Sequence, residues 1–244
     1  MARFLTLAYG VVCYLCGIAA ILYAICFIGG FSPRSIDAGG PPTAPLTALI
    51  INVVLLGVFA VQHSGMARRG FKAAWTSVIP PAVERSTYVL FSALALGLLY
   101  WQWRPIAGTL WATSGLLATI LWIVYWLGWA ILFTSTFLIN HFDLFGLAQV
   151  WAAWRGSKLP SPEFRTPLFY RVVRHPIYVG FILILWGAPT MTWGRALFAA
   201  GATGYILIGI WLEERDLIAV FGQTYRDYRA RVSMLIPMPP KSGS

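Results

Sequence analysis

Residues 174–228 read RHPIYVGFILILWGAPTMTWGRALFAAGATGYILIGIWLEERDLIAVFGQTYRDY. Charged and aromatic groups bracket two apolar runs, Ile177–Ala188 and Ala196–Leu212, with turn-forming residues from Pro189 to Arg195 in the middle. A helix rises about 1.5 Å per residue, so legs of roughly 12–18 residues bring Arg174, His175 and Tyr178 back to the level of Glu213 and Glu214. The stretch predicts a membrane helical hairpin that returns both polar clusters to one surface, where they can build a pocket for a polar ligand.

The remainder of the chain agrees with that class. Hydrophobic residues make up 59% of the 244 and charged residues 11%, against about a quarter charged in a soluble domain; mean hydropathy is +0.71. Four further apolar spans, Leu5–Ile28, Leu46–Val61, Tyr88–Trp103 and Leu110–Ile139, precede the hairpin. A bilayer core takes about 20 apolar helical residues, so the second and third are near the short limit. The expectation is an all-α polytopic membrane bundle of about six helices including the C-terminal hairpin. It forms one domain over 1–240, with Lys241–Ser244 as a tail. The first span is long and lacks a small-residue cleavage site, so it is expected to stay as a helix.

Charge predicts orientation. Lys and Arg concentrate in 66–85, 141–174 and 215–231, whereas the connections near Asp37, Arg104 and Arg195 hold few. Six crossings put the three basic segments, both termini and the active site on one side, which the positive-inside rule makes cytoplasmic. The net charge of +10 therefore follows topology and does not mark a nucleic-acid binder. Arg68, Arg69 and Lys72 read as topology signals and lipid-headgroup contacts. Cys13, Cys16 and Cys26 all fall in the first span, and a C-x-x-C there without a second ligand pair reads as packing, with no metal site expected. Soluble nucleotide-binding and hydrolase signatures are absent: no G-x-G-x-x-G, no G-x-x-x-x-G-K-[ST], no H-E-x-x-H and no G-x-S-x-G.

The elements Arg174-His175-Pro176-x-Tyr178-x-Gly180, Glu213-Glu214 and Phe221-Gly222-x-x-Tyr225-x-x-Tyr228 occur in an order and spacing that resembles the membrane methyltransferase superfamily of isoprenylcysteine carboxyl methyltransferases and phospholipid N-methyltransferases. The resemblance implies that this block binds S-adenosylmethionine on the cytoplasmic side of the hairpin. His175, Tyr178 and Gly180 would line the cofactor, Glu214 would take its amino or ribose groups, and Tyr225 would help close the pocket. Arg174, Pro176, Glu213 and Tyr228 complete the set. The physics is compatible: a Glu satisfies an ammonium or a diol, an Arg a carboxylate, and Tyr rings stack on adenine or face the sulfonium. Pro176 starts the helix and sets the approach of His175 and Tyr178. The competing reading is a belt of Tyr, His and Arg that anchors helix ends.

Three more segments place ionisable groups at span ends: Gln62-His63-Ser64-Gly65-Met66-Ala67-Arg68, Glu84-Arg85-Ser86-Thr87-Tyr88, and Asn140-His141-Phe142-Asp143-Leu144-Phe145-Gly146-Leu147. With the C-terminal block they resemble the methanethiol S-methyltransferase family, which makes dimethyl sulfide. The resemblance runs from about Gln62 to Pro239. They also resemble membrane proteins named for denitrification clusters, which share His-Ser-x-x-Ala-Arg. The thiol methyltransferase likeness implies a small thiol acceptor, methanethiol or hydrogen sulfide, and a bacterial inner-membrane location. Glu84, Arg85, Tyr88 and Asn140 would then serve the acceptor.

Methylation of a thiol needs the thiolate, and an unperturbed alkyl thiol is mostly protonated near neutral pH. His141 is the first candidate base, with Asp143 orienting its imidazole or stabilising the imidazolium; His63 is the second. Residues i and i+2 face different sides of a helix, so the His141–Asp143 pair requires a loop or helix terminus at 140–146. Both histidines also read as helix-end hydrogen-bonding groups. Two rival functions stay open on the residues alone: a methyltransferase for a lipid or prenylated acceptor, and a non-enzymatic accessory protein or transporter. Clustering of the ionisable groups at one surface, away from mid-membrane, disfavours transport.

Overall fold

The computed structural model describes residues 1–159 and 163–238; the tail expected at 241–244 lies outside the described residues. Among the described residues ten α-helices follow in order: α1 Ala2–Gly29, α2 Pro45–Ala67, α3 Arg69–Trp75, α4 Pro81–Gln102, α5 Gly115–Ile139, α6 His141–Leu144, α7 Leu147–Arg155, α8 Pro176–Trp186, α9 Trp193–Phe221 and α10 Gln223–Arg231. Two short strands, β1 Thr109–Ala112 and β2 Thr190–Thr192, pair antiparallel. Helices α1, α2, α4, α5 and α9 are long and apolar enough to cross a membrane, and α8 is a shorter apolar helix. Large apolar side chains stand exposed along them, Leu116 at 77%, Ile123 at 61% and Trp211 at 63% among them. These faces are satisfied by lipid, and the chain is an integral membrane protein.

The sequence reading and the helix limits differ in several places, α2 running on past Val61 to Ala67 among them. Helix α4 starts at Pro81, a full two turns before the apolar run at Tyr88, because Pro81 suits the first helical position and Glu84 suits the first turn. Residues 110–112 are strand where a helical start was expected, since Gly108 and Gly115 adopt positive φ (94° and 58°) and interrupt the backbone on either side. Helix α9 continues past Leu212 to Phe221 through the charged residues 213–216.

The described residues form two compact units: 1–112 with 141–159 and 190–201, and 113–140 with 163–189 and 202–238, so that α9 contributes to both. In the first unit, α1 packs on α4 and α7, and α4 on α2. Phe27, Tyr100, Trp103 and Phe198 form its aromatic core, with ring centroids 4.9–6.2 Å apart. Buried Asn52 caps the end of α4, accepting from Arg104 N–H at 2.9 Å and donating to Arg104 C=O at 2.7 Å. The guanidinium of Arg195 binds Asp37 at 2.5 Å and the Ile28 carbonyl at 2.6 Å, which ties the loop after α1 to the start of α9.

The second unit is organised by the pairing of α5 and α8. A Cβ at Gly128 would lie 2.8 Å from the Gly180 carbonyl oxygen, and one at Gly180 would lie 2.7 Å from the Gly128 carbonyl oxygen. Only glycine at both positions permits this backbone approach. Helix α8 has 11 residues, about 16 Å of rise, roughly half of a 30 Å hydrocarbon core. The leg continues non-helically through buried Gly187, Ala188 and Pro189, and Thr113 donates its N–H (2.9 Å) and hydroxyl (3.1 Å) to the Pro189 carbonyl. Irregular backbone in a membrane protein is tolerated where protein covers it.

Candidate active site

In the second unit the two ends of the hairpin meet. His175 is the N-cap of α8 and Pro176 its first residue. The strand-like segment before it is pinned by the chain after α10: Arg174 N–H donates to the Ser233 carbonyl (2.8 Å) and His175 N–H to the Met234 carbonyl (3.3 Å). Gly222, at φ 55°, separates α9 from α10, on which Tyr225 and Tyr228 are buried.

Glu214 is the hub. Its Oε1 accepts from Arg174 Nε at 2.7 Å and contacts His175 Nε2 at 3.2 Å, and its Oε2 pairs with Arg229 Nε at 3.2 Å. The side chains of Arg174 and Glu214 are 10% and 8% exposed. Arg174 Nη1 additionally donates to the carbonyls of Arg229 and Val232. A buried guanidinium and carboxylate with so many partners form a rigid, charge-assisted frame.

Glu213 is built differently. Its side chain is 46% exposed; Oε2 accepts from Tyr178 OH at 3.0 Å and lies 3.8 Å from His175 Nδ1. Tyr228 OH donates to the Tyr170 carbonyl at 2.5 Å, and burial, opposed by Arg174 and reinforced by Glu214, pushes its pKa up to about 12. Tyr225 is 2% exposed and, among the described residues, its hydroxyl has no hydrogen-bond partner. Burial, together with the Glu214 carboxylate, raises its pKa, so it stays a neutral donor. A buried phenol without a partner is costly unless a ligand supplies one.

Thus Arg174, His175, Pro176, Tyr178, Glu213, Glu214, Tyr225 and Tyr228 are brought into one neighbourhood. Gly180, one turn into α8, is instead occupied by packing, since a Cβ there would meet Gly128 and Leu132 of α5. Sequence reasoning missed Arg229, Tyr170 and Phe164, whose ring packs on Tyr225 and Tyr228 at 5.9 and 5.2 Å. Arg229 sits one residue after Tyr228 in the same motif, and its place on α10 was the available signal.

The first unit holds both candidate bases. His63, on the last turns of α2, contacts Tyr88 OH at 2.8 Å and Ser92 Oγ at 3.0 Å, and stacks on Phe59 with centroids 5.1 Å apart. Arg85 lies over the Tyr88 ring at 5.9 Å. Glu84 is in the first turn of α4, and Asn140, in the second unit, caps α5 with its N–H on the Thr136 carbonyl. His141 is 4% exposed; its Nε2 meets Tyr14 OH at 3.0 Å and its ring lies 4.7 Å from that of Phe145. Burial lowers its pKa, which favours the neutral imidazole. Asp143 accepts from Gln149 Nε2 at 3.0 Å. The one-turn helix α6 holds both residues, two apart, so they start on different sides of the turn. Tyr14, on the helix that carried no specific signal, is the unanticipated partner of His141. Phe145 packs on the apolar cluster of Met66, Tyr88 and Val89, so the His63 and His141 networks share one cluster. Among the described residues no group of His, Cys, Asp or Glu is arranged to hold a metal ion.

No family model matches the chain, and no solved structure does. Among curated proteins, methanethiol S-methyltransferase of Mycobacterium tuberculosis is 53% identical over 244 residues, covering 98% of each chain. Methanethiol S-methyltransferase of Crocosphaera subtropica is 50% identical, covering 97% of this chain and 93% of its own. Nurim of Mus musculus is more distant, 33% identical over 74% of this chain and 72% of its own.

Proposed function

The chain belongs to the methanethiol S-methyltransferase family, and from that premise we propose that it methylates methanethiol to dimethyl sulfide, and hydrogen sulfide to methanethiol, with S-adenosylmethionine as methyl donor. What carries the reading is the near full-length likeness to proteins of that name, joined to a local site with capacity to spare for a polar ligand. The residues present fit the donor: the half-exposed Glu213 carboxylate, the half-exposed Arg229 guanidinium and the unpartnered Tyr225 hydroxyl are what a zwitterionic nucleoside needs. Glu214, Arg174 and His175 hold that frame in place. When bound, S-adenosylmethionine supplies an electrophilic methyl on a sulfonium.

The chain's own part is to bind, orient and take a proton. His141, buried and biased to its neutral form, receives the thiol proton at a ring nitrogen. Tyr14 positions the ring and Asp143 supports the charge that forms. His63, with Tyr88 and Arg85, is the second candidate. Residues 1–240 act as one methyltransferase domain in a bacterial inner membrane, with the termini and the site cytoplasmic. A small apolar thiol reaches the protein from the bilayer.

Purified protein in lipid nanodiscs, given S-adenosylmethionine and methanethiol, is expected to release dimethyl sulfide into the headspace. Absence of product together with absence of S-adenosylhomocysteine binding by calorimetry would sink the reading. Faster methylation of long acyl or prenyl acceptors would replace it.

A further inference from the structure

We propose that the groove between α1 and α4 binds an anionic phospholipid, with an acyl chain lying along the groove and the headgroup phosphate taken by Arg34 at its end. The ligand comes from the bilayer, and its binding is independent of the methyl-transfer reaction.

The groove lies wholly within the first unit and has a volume of about 490 Å³. Ala19 and Ala20 of α1 and Ala93 and Gly97 of α4 line it, and Arg34, in the loop after α1, stands at one end. A Cβ added at Gly97 would meet nothing within 4 Å, so the groove reaches the α4 backbone there. Its lining runs along α4 from Leu90 to Trp101, a rise of about 16 Å. That is roughly half of a 30 Å hydrocarbon core. The groove therefore has the length of one leaflet, with a cation at the height of the headgroups.

Arg34 is held by its backbone, while its side chain has capacity left. Its carbonyl accepts from Tyr23 OH at 2.9 Å and from Ser32 Oγ at 2.6 Å. Its Nε is buried and has no hydrogen-bond partner among the described residues. A buried guanidinium nitrogen without an acceptor is costly unless a ligand supplies one. Asp37, three residues on, spends both oxygens elsewhere, on Thr192 Oγ1 at 2.6 Å and Arg195 Nε at 2.5 Å. The segments 30–44, 103–112 and 190–195 of this unit carry Arg34, Arg104 and Arg195 against Asp37 alone. An anionic headgroup complements that positive balance.

The acyl chain alone does not select the occupant. Lipid tails are as apolar as the groove walls, so filling the groove gives no preference for one lipid over another. Selection comes from the phosphate, whose oxygens form charge-assisted hydrogen bonds with guanidinium N–H groups. A helix from a second copy would also fill the groove, but the one acid of its matching segments, Asp37, is already engaged. A phospholipid brings both parts, a chain for the groove and an anion for Arg34.

The full chain, stripped of lipid in detergent and titrated with phosphatidylglycerol bearing a photoreactive acyl chain, tests the site. Mass spectrometry locates the cross-links, which are expected on α1 and α4 along the groove. Unlabelled phosphatidylglycerol should compete, phosphatidylcholine roughly 5-fold less well, and soluble glycerol phosphate not at all. Arg34→Gln is expected to weaken groove labelling roughly 10–100-fold, and Arg34→Lys to retain most of it. Gly97→Leu fills the groove and is expected to abolish the labelling without lowering Tm. Groove labelling that either Arg34→Gln or Gly97→Leu leaves unchanged overturns the proposal. Equal competition by the two lipids, or competition by glycerol phosphate, does so too. Cys16 also lines the groove; dimers cross-linked through it by a bismaleimide would assign the face to a second copy and overturn the lipid.

Discussion

Glu214→Gln keeps the side-chain volume and removes the charge from the hub of the cluster. The structure sets the size of the loss. The carboxylate is 8% exposed beside an Arg174 that is 10% exposed, and removing one member of a buried ion pair costs about 3–5 kcal/mol. The lower end, about 3 kcal/mol, applies here, because Arg174 retains the Arg229 and Val232 carbonyls as acceptors. The bond from half-exposed Arg229 adds at most about 1 kcal/mol. For a chain of this size a loss of about 3 kcal/mol lowers Tm by roughly 6–12 °C. Glu213→Gln removes a carboxylate that is 46% exposed, which costs at most about 1 kcal/mol after solvent screening. Thermal unfolding of the two variants in detergent, followed by tryptophan fluorescence, compares them directly. Equal Tm values, or a larger drop for Glu213→Gln, would refute the division into a buried positioning carboxylate and an open one.

His141→Ala is expected to lower turnover by roughly 10²–10⁴-fold with little change in S-adenosylhomocysteine affinity. The base acts in its neutral form, so activity is present above its folded pKa and is lost as pH falls through it. Burial lowers that pKa, which puts the acid limb of dimethyl sulfide formation below the ordinary histidine value of about 6.5. An acid limb at or above that value, or one that Tyr14→Phe leaves unmoved, argues against His141 as the base. Gly128→Ala and Gly180→Ala each drive a methyl group into backbone oxygen at under 3 Å and should cost about 1–3 kcal/mol. Gly97→Ala, with nothing within 4 Å of the new Cβ, should be neutral or stabilising. If all three variants melt together, the close approach of α5 and α8 is not what holds that pair.

Much of the architecture was legible because lipid imposes a simple rule: backbone must be helical wherever apolar side chains face hydrocarbon. The spans, the hairpin and its turn near Pro189 follow from runs of apolar residues and from proline at 45, 81 and 176. The start of α4 was missed because its first two turns are polar, and β1 because its residues are as apolar as the helix after it. The half-length of α8 was hidden for a similar reason: Gly187–Pro189 read as the end of an apolar leg, and only their burial explains why they need not be helical.

The sequence by itself determined that this is a helical membrane protein whose hairpin returns Arg174–Tyr178 and Glu213–Glu214 to one level, since helical rise and hydropathy are local properties. Tertiary structure alone decided which member of each pair does what. Successive residues on a helix point about 100° apart, so neighbouring glutamates meet different surroundings: Glu214 faces Arg174 and His175 in the interior, and Glu213 faces outward. The same rotation and packing decided that His141 is held by Tyr14, more than a hundred residues away in sequence, and that Gly128 and Gly180 touch. None of these contacts leaves a trace in a periodicity, because each depends on where a distant segment happens to pack.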